Sequence, residues 1–316
     1  MIQGLQETLA MHGRKSAVVP FTRIEDLKRD MISLKNDAFH TDWMDRMILH
    51  ITSEEARFMP KEIDFTPLSI ITVIKQGPKV RIPFMYQGKE IHCVLPPYFS
   101  QFYESNDKTL CDIQNYLTPY GFSAITAVTV PQKMLAVHTG LAQYGRNNIC
   151  YNEEFGSYLY IMSYFSDMPC EEGPWLPLSR MEICETCEAC IQACPTDAID
   201  EKRKLIDANH CIVYSNELPG AFPAWITAEM HNSLVGCMLC QDCCPMNAKN
   251  EKNIETSVGF TEAETMEILQ HKEGVPWGQA VAEKLRNIGI SPEHVVPLPR
   301  NLAALLEKEV AKAKQA

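Results

Sequence analysis

Along the first half of the chain the apolar positions change period several times, and each change predicts an element. Ile24, Leu27, Met31 and Leu34 recur at helical intervals behind Thr22 and Glu25, which stand at capping-box spacing. Trp43, Met44, Met47 and Ile48 predict a second amphipathic helix over residues 38–50. Leu68 to Ile74 is a β-branched run and predicts a buried strand, and Ile91 to Leu95 a second one closed by Pro96 and Pro97. Residues 106–120 read as a helix ending near Pro119, and Ser123 to Val130 as a third strand. Pro131 then suits the first turn of a helix through Val137, and Tyr158 to Phe165 alternates as a fourth strand. Strands interleaved with helices predict an α/β or α+β layer over residues 1–170.

The period becomes irregular after Pro169. The stretch to Pro177 holds proline, glycine and acidic residues and marks a boundary. Beyond Asn250 helical spacing returns, with Thr261 and Glu264 as a capping box ahead of Met266, Ile268 and Leu269. Ala280 to Ile288 and Asn301 to Val310 predict the last helices. Three segments follow from this, 1–172, 173–250 and 251–316, the last a helical piece packing back on the core.

Composition narrows the class. With 316 residues, 46% of them hydrophobic, the chain can bury a core and form two domains. Met1 to Val19 lacks the apolar stretch of an export signal, and no run reaches a membrane span, so a cytoplasmic protein without a membrane partner is expected. The net charge is −11, with 29 basic residues against 40 acidic ones. Affinity for nucleic acid comes mostly from Lys and Arg neutralising phosphates, so a nucleic-acid partner is not expected.

The chemistry is concentrated between Met181 and Asn247, which hold nine of the thirteen cysteines. Cys184, Cys187, Cys190 and Cys194 follow the 2-2-3 spacing that ends in Pro195, as in bacterial two-cluster ferredoxins. Cys237 and Cys240 form a further pair, Cys243 and Cys244 stand together before Pro245, and Cys211 lies alone between the two groups. Two 4Fe–4S clusters need about eight thiolates. Zinc also takes Cys-x2-Cys pairs but needs only about four ligands and does not require this spacing. The cysteines are therefore read as reduced cluster ligands, not as disulfides.

A second stretch stands out, Gly140-Leu141-Ala142-Gln143-Tyr144-Gly145-Arg146-Asn147-Asn148, followed by Gly156 and Ser157. It fits neither the P-loop nor the dinucleotide fingerprint. One reading is a helix C-cap at Gly140 followed by a turn. The other is a loop whose glycines let backbone approach a flat ligand.

Together, the loop Gly140-Leu141-x3-Gly145-Arg146-Asn147, the pair Gly156-Ser157 and the cysteine block resemble the epoxyqueuosine reductase and reductive dehalogenase superfamily. The resemblance covers residues 120–250, and Pro299-Arg300-Asn301-Leu302-Ala303 adds to it. It implies an α+β fold, a nitroreductase-like cobalamin-binding domain joined to a ferredoxin-like domain with two 4Fe–4S clusters. By the same resemblance one cluster takes Cys184, Cys187, Cys190 and Cys244, and the other takes Cys194, Cys211, Cys237 and Cys240. Cys93, Cys111, Cys150, Cys170 and Cys243 are left over and read as small buried hydrophobes. Base-off cobalamin would lie on Gly140, Leu141, Tyr144, Gly145, Arg146, Asn147, Asn148, Gly156 and Ser157, with Asn147, Asn148 and Ser157 bonding the corrin amides.

The chain departs from the epoxyqueuosine reductases at one point. Those enzymes carry an aspartate proton donor about a dozen residues before the glycine loop, whereas here no Asp or Glu lies between Asp112 and Glu153, and Thr126 or a neighbour takes that place. The helical-repeat extension that contacts tRNA is also not expected. The dehalogenases use a tyrosine beside a cation, for which Tyr116, Tyr120, Tyr144 and Tyr151 are available; Tyr144 with Arg146 or His138 is the choice here, the cation lowering the phenol pKa. The function expected is a cobalamin-dependent reductase of a small organic substrate, fed through the clusters by a low-potential ferredoxin or flavodoxin. The alternatives are an electron-transfer protein that re-reduces a corrinoid partner, a flavin-carrying relative, and an epoxyqueuosine reductase acting on tRNA.

Overall fold

The structure is a computed structural model that describes residues 1–35, 63–127, 129–202, 205–290 and 297–315. It mixes helices and strands and divides into two compact units. The first comprises Met1–Gln76, Tyr103–Glu188 and Glu201–Ala208; the second comprises Gly77–Phe102, Ala189–Asp200 and Asn209–Ala316.

The first unit is built on a four-stranded antiparallel sheet. Its strands are β1 (Arg14–Pro20), β2 (Ser69–Gln76), β5 (Ala124–Thr126) and β8 (Leu159–Ser166), in the order β1-β2-β8-β5. The two central strands pair in full, Ile71 opposite Tyr164 and Val73 opposite Met162. Every residue of β8 is buried, Ser163 and Ser166 included. Helices α1 (Ile2–Met11), α2 (Ile24–Lys35), α3 (Phe102–Leu117) and α4 (Gln132–His138) accompany this sheet. One core joins Leu27 and Met31 of α2 to Ile70, Leu135 and Phe165, and another joins Ile74 and Ala136 to Ala142, Cys150 and Ile161.

In the second unit a hairpin of β3 (Lys79–Tyr86) and β4 (Lys89–Leu95) takes a parallel third strand, β9 (Ile254–Thr256). Val80, Ile82 and Phe84 alternate inward and meet α8 (Glu262–Gln270), α9 (Gln279–Asn287) and α10 (Leu298–Gln315) in one core. Phe84 stacks on Phe260 with centroids 4.8 Å apart. Pro83 is accommodated because regular pairing with β9 ends at Arg81, and Pro83 needs only its carbonyl, which accepts from Phe260 N–H.

The helix after Thr22, the strands near 68–76, 89–95 and 159–166, and the helices starting near 132, 262, 279 and 298 lie where the apolar pattern predicts them. The capping box at Thr261 forms in full. The one expected at Thr22 does not, because Thr22 lies in a 3-10 turn, Phe21–Arg23, and the helix begins at Ile24. The strand expected over Ser123–Val130 is regular only from Ala124 to Thr126. The helix expected over 38–50 lies outside the described residues. Boundaries at 172 and 250 do not coincide with the two units, because the β3–β4 hairpin carries part of the N-terminal segment into the sheet completed by β9.

Candidate metal centre

Cys184 and Cys187 belong to the first unit, and the other seven cysteines of the block belong to the second. In the second unit two short helices pack together, α5 (Ala189–Ala193) and α7 (Leu239–Asp242). Each carries the first cysteine of a Cys-x3-Cys-Pro run, Cys190 to Cys194 and Cys240 to Cys244. The two runs close alike, with Cys194 N–H donating to Ile191 O at 3.2 Å and Cys244 N–H to Gln241 O at 3.1 Å. The proline after each forbids a further helical bond, so both cysteines sit at fixed helix exits. Cys243 does not share this position and is exposed.

Cys194, Cys211 and Cys237 lie near one another. Burial pushes the Cys211 thiol up to about 11; the N–H of Val213 opposes this, and Cys237 and Cys194 add to it. Cys237 is raised by burial and by Cys194, against hydrogen bonds from Asn232 and Leu239. Among the described residues no disulfide joins any of the thirteen cysteines. Among the described residues no three His, Cys, Asp or Glu gather tightly enough for one metal ion.

Three further side chains frame this group: Arg300 and Asn301, from the segment that adds to the resemblance, and Asn216, which the sequence pattern does not single out. Asn301 is fully buried, and its Nδ2 donates to Asn216 O and Oδ1 and to Leu234 O at 2.8–3.1 Å. Asn216 Oδ1 also accepts Gly236 N–H at 3.1 Å. Arg300 donates to Ser215 O at 2.8 Å and to Gly220 O, and lies 3.8 Å from the Phe222 ring centroid. The Arg300-Asn301 pair thus ties the helix after Cys211, α6 (Ile212–Glu217), to the turn before Cys237. At that turn Gly236 has φ +73°, and a Cβ there would lie 2.9 Å from Phe99.

The glycine loop lies in the first unit. Gly140, at φ +73°, follows the end of α4 and donates to Val137 O at 3.0 Å, the C-cap arrangement. Gln143–Tyr144 (β6) and Cys150–Tyr151 (β7) then form a small hairpin, with a turn at Gly145–Asn148. Tyr144 exchanges main-chain bonds with the segment entering the cysteine motif: its N–H donates to Ser179 O at 3.1 Å, and its carbonyl accepts from Met181 N–H at 2.9 Å. Arg146, only 8% exposed, donates to the carbonyls of Cys184 and Glu201. The loop therefore holds the entry to the cysteine motif.

That arrangement corrects several roles expected for the loop. Burial, with Cys150 adding to it, pushes the Tyr144 phenol up, not down. His138 is buried, its ring nitrogens facing Leu176 O at 2.6 Å and Asp30 Oδ2 at 2.9 Å, and it stacks on Trp175. Asn147 donates to Tyr151 OH at 2.9 Å and is buried. A Cβ on Gly145 would meet Asn147 Oδ1 and Tyr151 Cε2 at 2.6 Å, so this glycine makes room for the chain's own side chains. Leu141 packs partly buried against the core, its carbonyl accepting from Asn152. Gly156 pairs with Asn152 through both main-chain bonds, and Ser157 is buried. Asn148 lends its carbonyl to Lys133. Of the side chains assigned to a corrin rim, Asn147 and Ser157 are thus buried within the chain, while Asn148 is half-buried. Thr126, in the place of the missing aspartate, lies 3.4 Å from Asn106 Nδ2, and Tyr164 OH donates to Asn106. Of the left-over cysteines, Cys93, Cys150 and Cys170 are buried as expected, whereas Cys111 and Cys243 are exposed.

Residues 183–247 match the family described as 4Fe-4S double cluster binding domain. An epoxyqueuosine reductase of Leadbetterella byssophila is 32% identical over 163 residues, 51% of this chain and 50% of that protein. The chain is similar to the epoxyqueuosine reductases. These relatives are oxidoreductases, and the chain spans about half the length of the curated relatives it matches. Its fold is theirs as well: epoxyqueuosine reductase from Bacillus subtilis superposes with a TM-score of 0.64, covering 96% of this chain and 80% of that one at 17% identity. A second solved epoxyqueuosine reductase, at TM-score 0.63 and 18% identity over 96% of this chain and 80% of its own, carries an epoxyqueuosine-modified tRNA-Tyr stem loop. That complex overturns the expectation of no nucleic-acid partner. Net charge is a sum over the whole surface, whereas phosphates are bound by a local set of groups. Among the described residues no helix is long and apolar enough to cross a membrane.

Proposed function

We propose that this chain is an iron–sulfur reductase of the epoxyqueuosine reductase type whose substrate is the epoxyqueuosine of a tRNA stem loop. One 4Fe–4S cluster is held by Cys184, Cys187, Cys190 and Cys244, and the other by Cys194, Cys211, Cys237 and Cys240. The observation that carries this reading is the grouping of Cys194, Cys211 and Cys237 within a segment that matches a double-cluster family.

When bound, such clusters supply electrons singly, at potentials set by their surroundings. Reduction of an epoxide to an alkene consumes two electrons and two protons and releases the oxygen as water, a demand that two one-electron clusters re-reduced by an external donor would match. The protein's residues hold the thiolates in place: Arg146 fixes the carbonyl of Cys184, and Asn301 fixes the turn before Cys237. Tyr144, whose phenol is raised by burial, keeps its proton and is not assigned as the acid. No electrons are routed through a corrinoid here, because Arg146 and Asn147, two of the side chains expected to hold one, bond within the chain.

The test is anaerobic turnover of a tRNA-Tyr stem loop carrying epoxyqueuosine, with a low-potential reductant, followed by nucleoside mass spectrometry. Cobalamin is supplied in half of the assays. Loss of the epoxide in both halves is expected, and its absence after Cys237→Ser. Protein with both clusters intact that leaves the epoxide untouched in both halves would overturn the reading; turnover only with cobalamin would overturn the cluster-only route.

A further inference from the structure

Asn232 makes three hydrogen bonds that fix its amide. Its Oδ1 accepts Met238 N–H at 2.7 Å, and its Nδ2 donates to Met230 O at 3.2 Å and to Cys237 Sγ at 3.1 Å. Oxygen and nitrogen of an amide are often assigned by choice, but here the surroundings leave one arrangement. A flipped amide would put its oxygen against the Met230 carbonyl and its NH2 against an N–H donor. The N–H therefore points at sulfur.

The residues around Asn232 hold it there. Leu234 N–H donates to Val94 O at 2.7 Å, and Gly236 N–H to Asn216 Oδ1 at 3.1 Å. Lys308 Nζ donates to the carbonyls of Glu229 and His231 at 2.9 and 2.5 Å. His231 and Ser233, on either side, are buried, while Asn232 itself is partly buried. An amide so held keeps its dipole on the sulfur whether or not charge is present there.

We propose that Asn232 sets the reduction potential of the cluster bound through Cys237, by donating a hydrogen bond to that thiolate. The inference rests on the two-cluster reading above. Hydrogen bonds to cluster sulfurs are among the recognised determinants of potential. An N–H aimed at sulfur stabilises negative charge, and the reduced cluster carries one more electron than the oxidised one. The bond therefore favours reduction and raises the potential. Partial burial strengthens the effect, because water screens the dipole less. Asn232 is a positioning residue and touches no substrate.

The experiment is a redox titration of anaerobically reconstituted full-length protein, monitored by electron paramagnetic resonance, with iron and sulfide measured on the same samples. Wild-type protein should show two one-electron waves. Asn232→Leu removes the donor at similar volume and should lower one wave only. A tenfold shift in the oxidised-to-reduced ratio at fixed potential is expected, about 59 mV for one electron. Asn232→Asp, which replaces the donor by a carboxylate oxygen, should lower the same wave further. The wave that moves should be the one missing from Cys211→Ser. In wild-type protein labelled with 15N at asparagine side chains, one reduced cluster should show a 15N coupling, a result that does not depend on any variant folding. Two unmoved waves in Asn232→Leu at full iron content, an equal shift of both, or no 15N coupling would each overturn the inference. Wild-type protein lacking iron and sulfide would instead refute the cluster reading on which it rests.

Discussion

Arg146 donates its guanidinium to the main-chain carbonyl of Cys184, linking the glycine loop to the first cysteine of the ferredoxin-spaced motif. The two residues are 38 positions apart and belong to the same compact unit. Arg146 also reaches Glu201 O at 3.3 Å, so one planar fork serves two carbonyls. A cation near a tyrosine had suggested acid–base chemistry, but its two terminal nitrogens are spent on backbone, and only the buried Nε has no hydrogen-bond partner.

Replacing Arg146 should therefore cost a cluster before it costs a catalytic step. Arg146→Ala leaves the carbonyls of Cys184 and Glu201 without their donor, at about 1.5–3 kcal/mol for each bond to a charged group. Iron should fall from about eight per chain toward four as the cluster using Cys184 becomes labile. Arg146→Lys should rescue only partly, since an ammonium lacks the fork. Iron and sulfide assays with a thermal melt check this; a variant with full iron content and no activity would point back to a catalytic cation.

The cysteine register makes a sharper distinction. Cys211→Ser should lose one cluster and about half of the iron, whereas Cys243→Ser should keep both. Cys243 is exposed and adjoins the helix exit that Cys244 occupies, whereas Cys211 feels the charge of both Cys237 and Cys194. Reversed outcomes in an iron assay would show that the ligand set is shifted by one residue.

Much of this was legible in the sequence, though unevenly. The 2-2-3 spacing with proline carries its chemistry in local geometry alone, so the cluster block needed no tertiary information. The β-branched run Leu68 to Ile74 likewise announces a central strand. Arg14–Pro20 and Lys79–Tyr86 were missed because a proline in each weakens a pattern that pairing rescues. The glycine loop misled for another reason. A glycine that permits close approach does not say what approaches, and at Gly145 it is Tyr151 and Asn147 of the same chain. Charge misled because a total of −11 says nothing about where the cations lie. Asn216 left no local signal because it acts through Asn301, 85 positions away, and Asn232 left none because a lone asparagine near a cysteine has no characteristic spacing.

Asn301 should prove as important to the second cysteine group as Arg146 is to the first. Asn301→Ala removes one buried amide that serves Asn216 and Leu234, leaving buried acceptors without donors. A loss of about 2–4 kcal/mol is expected, the sum of a few buried bonds. The melting temperature should fall, and the cluster bound through Cys211 and Cys237 should be the first to release iron. Asn301→Asp should be worse, since it sets an acceptor against two carbonyls. Wild-type stability in both variants, by chemical denaturation, would remove Asn301 from the frame.

Acid sensitivity should trace in part to His231. Its ring is 2% exposed, tilts against Phe222 at 4.4 Å, and has no hydrogen-bond partner at Nδ1. Burial, with the cations Arg300 and Lys308 adding to it, lowers its pKa to about 4. The folded protein therefore prefers the neutral ring, while the unfolded chain titrates near 6.5. A folded pKa below the unfolded one contributes stability that is fully present above pH 6.5 and is lost as pH falls toward 4. The shift corresponds to about 3 kcal/mol across that window. His231→Phe keeps the packing against Phe222 and removes the titration. Cluster thiolates also take up protons in acid, so the informative quantity is the difference between wild type and variant in denaturant midpoints. That difference should grow in favour of the variant from pH 6.5 down to 4, and parallel curves would show that His231 does not titrate in the window.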